Sequence, residues 1–573
     1  MRPVLMAFAT LSLLLGLAAC QSLAPAPITP LPGEPPVRLG PAPTAPPAAT
    51  ILTGPTSVPR AGLVVAVNRV PLSLDPGDFA DPDGAIVLRQ IFDTLTQYRE
   101  GSAEIEPGLA TAWQANSDAT EWTFTLRDGV RFHDGTPLTA EAVKFNFDRW
   151  LDPASLAGAR ANGKQFQVWS DVFGGYRGAG SLITEAEVVG PLQVRLRLAR
   201  PTSYLPAVLA LPYFGISSPT AIRAAGMGYG GPQSGAVGTG AYRVAAFTNS
   251  EVRLERAADT WGPPAAADSL TFRALGDAEA QLAALADGRA DLAPNLPVER
   301  DKAASGLGLI AVPRPQLGVT YLALNQRFRP LDDARVREAI ALALNPADLA
   351  ARSARGSSTA ADQFVPPGLR GRLTDAAPAP NLEQARALLA EAGFPNGLSE
   401  VAGPDGALRP LELWVSNPPQ GAAFVPLAEN IAAQLAAAGI RVKVRQDEWT
   451  SFLAERKQGR FPLLILDYPA PSVRVDAVAD PHLFLNALFG PLTVGETGWN
   501  QPTVLERLRA AEATADPARR EEVYRDIAAV IRDERPRVPL LYSVGLAVTR
   551  PGVSGYTPSP TGAESLARVR AGS

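Results

Sequence analysis

The stretch Glu121–Trp150, EWTFTLRDGVRFHDGTPLTAEAVKFNFDRW, carries the pattern that decides the fold. Trp122, Phe124 and Leu126 alternate with Thr123, Thr125 and Arg127, the two-residue period of a half-buried strand. Asp128-Gly129 predicts a hairpin turn, because glycine takes positive φ without steric penalty. Val130 and Phe132 resume the alternation and predict a second strand, and His133-Asp134-Gly135 predicts a second turn. Thr139 is placed to cap a helix, with Glu141 near the positive end of its dipole. Val143, Phe147 and Trp150 stand at i, i+4 and i+7, one apolar stripe.

Outward from this stretch, strands and helices alternate. Leu63–Val67 reads as a buried strand, Ile86–Tyr98 as a helix with Ile86, Ile91 and Leu95 inward, and Val194–Leu198 as a strand. Leu151–Ser181, rich in Gly and Ala, reads as a surface insertion. Val237-Gly238-Thr239-Gly240-Ala241-Tyr242 has no following Lys-Ser/Thr, so its glycines predict a tight turn and not a phosphate loop. Asp332 or Asp333 caps a helix carrying Val336, Ile340 and Leu344, with Arg335 and Arg337 read as ion pairs to neighbours. Asn381 caps a helix that Gly393 stops. Val425–Gly439 is a helix followed by the strand Ile440–Val444, and Asp516-Pro517 opens a helix with Val523, Ile527, Val530 and Ile531 inward. This alternation indicates α/β architecture with crossover connections.

With 573 residues, the chain exceeds one ordinary domain and predicts two or three lobes. The formal net charge of −4 argues against nucleic acid, which needs a basic face. Cys20 is the single cysteine, so no intramolecular disulfide and no cysteine metal site can form. His133 and His482 are the two histidines, too few for a histidine-rich metal centre, so no metal and no cofactor are expected. No G-x-S-x-G and no H-E-x-x-H occurs, and no catalytic residue is assigned.

At the amino end, Arg2 is a minimal basic region and Val4–Ala19 an apolar run too short to span a bilayer comfortably, the form of a signal peptide. Leu17-Ala18-Ala19-Cys20 fits the lipobox of bacterial lipoproteins, with cleavage before Cys20 and lipid on its sulfur. Ser22 to about Arg60 is rich in Pro, Ala and Thr, nearly free of charge, and reads as a semi-stiff tether.

Several blocks, in order, resemble the family 5 extracellular solute-binding proteins of ABC importers. They are Ser73-Leu74-Asp75-Pro76, Glu106–Trp113 (EPGLATAW), Glu121–Trp150, Val237–Tyr242, Gln281–Leu292, Tyr321–Asn325, Leu331–Ile340 and Glu448–Phe461 (EWTSFLAERKQGRF). The resemblance implies a type II periplasmic-binding-protein clamshell of two α/β lobes with mixed sheets and an extra subdomain. The implied limits are 1–19 signal peptide, 20–60 lipidated Cys and tether, 61–312 first lobe with inserted subdomain, 313–539 second lobe, and 540–573 return to the first. It implies a periplasmic or cell-envelope protein, held to the membrane by its lipid. This protein, a monomer, would capture peptides or peptide-like solutes and deliver them to an ABC permease of the inner membrane.

The resemblance also implies site residues. Trp449 and Arg456 lie in the matching EWTSFLAERKQGRF block, with Arg456 on a family arginine near the cleft, and Tyr468 falls on its tryptophan position. The family then uses an aspartate against a peptide's amino group. An ungapped count lands on Pro471, but reading back from Asp480-Pro481 gives Asp476, with Asp467 and Asp480 as alternatives. In the loop Gly77–Gly84, a family carboxylate that contacts ligand falls on Ala80, beside Asp81, and Asp78, Asp81 and Asp83 otherwise read as a solvated turn. That departure keeps other readings open: a metal chelate, opine or oligosaccharide as solute, or a ligand-free structural envelope lipoprotein.

Overall fold

The structure, a computed structural model, describes residues 62–78, 82–152, 164–352, 358–375, 378–416, 424–468 and 478–572. The lipobox, Cys20 and the proline-rich tether lie outside them, as do Asp81 and Asp476.

The strand predicted at the start of the deciding stretch forms as Glu121–Leu126, with Trp122, Phe124 and Leu126 buried. The second strand does not form. Both edges of Glu121–Leu126 are taken by Ala110–Ala115 and Gln193–Leu198, and with Ile183–Gly190 these make a four-stranded antiparallel sheet. Val130 and Phe132 are buried but bonded locally, Leu138 N–H to the Val130 carbonyl and Phe132 N–H to that of Thr136. The helix Ala140–Leu151 begins as read, with Ala142 N–H donating to Thr139 Oγ1 at 3.2 Å. Its stripe of Val143, Phe147 and Trp150 is buried.

The surface reading of Leu151–Ser181 is corrected for its described part. Phe166, Trp169 and Phe173 are buried, and Trp169 stacks on Trp150 with centroids 5.9 Å apart. Large aromatic side chains contribute about 1.5–3 kcal/mol each on burial, which outweighs the Gly- and Ala-rich composition around them. The helix read at Ile86–Tyr98 is Pro82–Ile91, and Thr96–Tyr98 is a strand. The Thr94 and Leu95 carbonyls accept Leu109 and Ala110 N–H, which ends the helical pattern.

An eleven-stranded sheet runs through the molecule. At one end Gly62–Val67 lies parallel to Ser269–Ala274 and Leu292–Leu296. At the other, Glu412–Val415 lies parallel to Lys443–Gln446 and Leu463–Tyr468. Two long antiparallel strands, Ile310–Leu324 and Arg537–Thr549, join the ends. Their register runs from Ile310↔Thr549 to Pro315↔Val544, breaks, resumes at Val319↔Tyr542 and Thr320↔Leu541, and shifts again before Tyr321↔Pro539 to Ala323↔Arg537. One hydrophobic core lies around Gly62–Val67 and the four-stranded sheet, and two others lie around the second set of parallel strands. The glycines of Val237–Tyr242 serve close approach. A Cβ on Gly238 would stand 2.2 Å from the Ile91 carbonyl oxygen.

Candidate functional site

In open α/β sheets, ligands sit outside the carboxyl ends of parallel strands. At that edge of the second set, Glu448 caps the helix Trp449–Lys457, its Oε2 accepting Thr450 and Ser451 N–H at 2.9 and 3.1 Å. Those bonds hold its carboxyl below the usual range. Trp449 stacks on Phe452, with centroids 5.9 Å apart and planes at 18°. Asp467 and Tyr468 end the strand Leu463–Tyr468, opposite Thr320 and Val319, and the Thr320 hydroxyl donates to the Asp467 carboxylate. Trp449, Asp467 and Tyr468 therefore share one edge of the sheet.

Arg456 stands apart from them, two turns along its helix toward the opposite edge. Its guanidinium binds both oxygens of Glu496, at 2.9 and 3.2 Å. Glu496 also faces Arg537 at 3.7 Å, and Arg537 lies 4.9 Å over the Tyr321 ring. Asp480 is equally engaged. It caps the helix Pro481–Phe489 and pairs with Arg520 at 3.2 Å.

The corresponding edge of the first set joins Asp83 to Asn68, Gln281, Asn295 and Arg314, four polar residues that the sequence reading did not single out. Asp83 accepts Asn68 N–H at 3.1 Å and Asn295 Nδ2 at 2.9 Å. Gln281 Nε2 donates to Asn68 Oδ1 at 2.8 Å. Arg314, buried beside them, donates to Glu564 at 3.1 Å and to Asn295 Oδ1. Such residues are scattered along the chain, and no local spacing signals their meeting.

Behind this edge lies a buried charge cluster. Arg149 grips Asp75 with both terminal nitrogens, Nη1 at 2.8 Å, and Lys164 Nζ reaches Asp75 at 2.6 Å and Asp78 at 3.2 Å. The solvated-turn reading is thus corrected for Asp78 and Asp83, which are 6% and 4% exposed. Burial pushes the Asp78 carboxyl above the usual range.

A cavity of about 180 Å³ is lined by Trp113, Trp122, Tyr204, Asp480, Arg520 and Tyr524 among others. A larger one, about 570 Å³, is lined by Arg89, Asp93, Arg99, Glu106, Trp261 and Arg568 among others. Its charges are paired within the wall, Arg89–Asp93 at 3.4 Å and Arg99–Glu106 at 3.5 Å, and Arg568 pairs with Glu100 at 3.3 Å. Among the described residues, no group of three or more His, Cys, Asp or Glu could hold a metal ion. No described helix is long and apolar enough to cross a membrane.

Comparison with known proteins bears on the family and the fold. The family profile of bacterial extracellular solute-binding proteins, family 5 Middle, matches residues 104–490. The dipeptide-binding protein of Escherichia coli K12 is 27% identical over 502 residues, covering 84% of this chain and 88% of the relative. Heme-binding protein A of Haemophilus influenzae is 26% identical over 496 residues, covering 83% and 86%. The solved structure of HbpA2 from Haemophilus parasuis superimposes with a TM-score of 0.77 at 24% identity, over 89% of this chain and 99% of that one. The fold is that of type II periplasmic binding proteins. The profile spans more than half the chain, and the chain belongs to the family 5 extracellular solute-binding proteins, the binding components of ABC importers.

Proposed function

We propose that the chain captures peptides or peptide-like solutes in the cleft between its lobes and hands them to an ABC permease. The observation that carries the reading is the shared edge of Trp449, Asp467 and Tyr468, from which the segment bearing Asp476 departs. The Trp449 ring at the same edge as the Asp467 carboxylate suits a peptide's backbone and its ammonium, since a buried ammonium left unpaired is very costly. The dipeptide-binding relative supports the same class. The lobes follow residues 61–312, 313–539 and 540–573, and the register break between Pro315/Val544 and Val319/Tyr542 gives the joining strands a place to bend.

A second reading, a non-peptide solute, draws on Ala80 standing where the resemblance implies a carboxylate and on the heme-binding relative. Native mass spectrometry of the Arg60–Ser573 fragment, searched for a co-purified solute, separates the two. A ligand closes a clamshell only by binding the closed state more tightly than the open one. Addition of a mixed dipeptide library therefore shrinks the radius of gyration in small-angle scattering. Measured binding with an unchanged radius is incompatible with the clamshell mechanism.

Cys20 is the lipid anchor in this reading, and each buried methylene of its acyl chains adds about 0.8 kcal/mol of membrane affinity. Cys20→Ser moves the protein from the membrane fraction to the soluble one. Retention of the variant after a high-salt wash rules the anchor out.

A further inference from the structure

The two lobes also touch directly, away from the two long strands, through side chains that the solute reading does not use. Tyr98 Oη donates to the Ala207 carbonyl at 2.8 Å and accepts Ala479 N–H at 2.9 Å. Ala207 and Ala479 are 4% and 7% exposed, so this hydroxyl satisfies two buried backbone groups at once. Ser203 makes a second crossing. Its N–H donates to the Glu512 carbonyl at 2.9 Å and its Oγ to that of Ala511 at 2.7 Å, while Arg520 Nη1 donates to Ser203 Oγ at 3.0 Å. A third crossing is the His482 ring, stacked on Tyr204 with centroids 5.1 Å apart and planes at 9°. The His482 Nε2 stands 3.2 Å from Glu512 Oε1, which Arg200 approaches at 3.2 Å from the other side.

These contacts border the 180 Å³ cavity. We propose that Tyr98 and Ser203 are positioning residues of an interlobe latch. The latch forms only in the closed arrangement, and it ties the backbone of Ala479, Ala511 and Glu512 to the opposite lobe. The proposal rests on the clamshell reading above. Part of the closing free energy then comes from the chain itself. Parting the lobes takes the Tyr98 acceptor from the buried Ala479 N–H, which water must then reach, while the Ala207 carbonyl keeps its donor within one lobe.

The test is amide hydrogen exchange on the full chain carrying Cys20→Ser, without added solute. Tyr98→Phe keeps the ring and removes both hydrogen bonds. The Ala479 amide exchanges faster simply because its acceptor is gone. The latch predicts that the Ser203 amide, which Tyr98 does not touch, also exchanges faster by about tenfold, the equivalent of about 1.4 kcal/mol. Ser203→Ala does the reciprocal, accelerating the Ala479 amide with Tyr98 intact. Protection in the helix Ala140–Leu151 reports whether each variant is folded and stays unchanged. Acceleration confined to the altered residue's own partners, in both variants, overturns the latch. A failure of the peptide reading would appear elsewhere, in solute titration and native mass spectrometry, and leaves this exchange pattern untouched.

Discussion

Asp75→Asn lowers the folding free energy at pH 7 by about 3–5 kcal/mol, the loss found when one partner of a buried ion pair is removed. The side chains of Asp75 and Arg149 are fully buried, and Lys164 is 10% exposed. Arg149 also lies 4.7 Å over the Phe166 ring and 5.6 Å from that of Tyr229, so its charge has no route to water. An amide at position 75 takes away the carboxylate that the guanidinium grips with both terminal nitrogens, and leaves Lys164 with the Asp78 carboxylate at 3.2 Å and the Tyr229 carbonyl at 2.6 Å. The effect has a pH signature. Burial pushes the Asp75 carboxyl up, but Arg149 and Lys164 outweigh it and hold the carboxyl below its usual range. A group whose folded pKa is depressed contributes stability above its unfolded pKa, about 3.9, and loses it as pH falls through the folded value. Asp78 runs the other way. Burial raises its carboxyl, so its contribution is present at low pH and fades as pH rises through its folded value. Urea unfolding of both proteins at pH 7, 5 and 3 gives a gap that is constant between pH 7 and 5 and narrows at pH 3. A gap under about 1 kcal/mol at pH 7 means that the cluster is not what holds the loop after Gly62–Val67.

Local chemistry explains what could be read from the sequence. Caps were legible because each is a contract between neighbours in the chain: Thr139, Asp333, Asn381 and Asp516 all cap the helices they were read to cap. Arg335 forms an ion pair with Asp333 as read, whereas Arg337, read as an ion pair, donates to the backbone carbonyls of Glu534, Leu331 and Asp332. The alternation of Trp122, Phe124 and Leu126 was legible for the same reason. The strand at Val130–Phe132 was misread because alternation reports one buried face and says nothing of which strand occupies the edge. Ile86–Tyr98 carried enough apolar residues for a helix, but tertiary pairing of Leu109 and Ala110 with its last turn overrode the pattern. Asp75, Arg149 and Lys164 are 74 and 89 positions apart, and Tyr98 and Ala479 are 381 apart. No periodicity reaches that far, so the clusters that tie the loop and the lobes were invisible before the fold was known.

Asp476→Asn has the largest expected effect on binding. The segment 469–477 follows Tyr468, at the carboxyl edge of the sheet, and stops short of Ala479, whose N–H donates to Tyr98 Oη. Asp476 is the one acidic residue within it. The alternatives on either side are occupied, Asp467 by the Thr320 hydroxyl and Asp480 by its helix cap and Arg520. For a dipeptide with a free amino terminus, the substitution leaves the ligand's charge buried and unpaired, which costs about 2–5 kcal/mol. At about 1.4 kcal/mol per tenfold, the dissociation constant rises at least about 25-fold. The identity of the carboxylate is read from a double cycle by titration calorimetry, with the free and N-acetylated dipeptide on both proteins. Acetylation weakens binding to the wild type strongly and to the variant little, because the variant has already lost the partner. Additive losses remove Asp476 from the ammonium site and move the role to Asp467, whose contact with Thr320 a solute would have to displace, or to a solute that carries no ammonium.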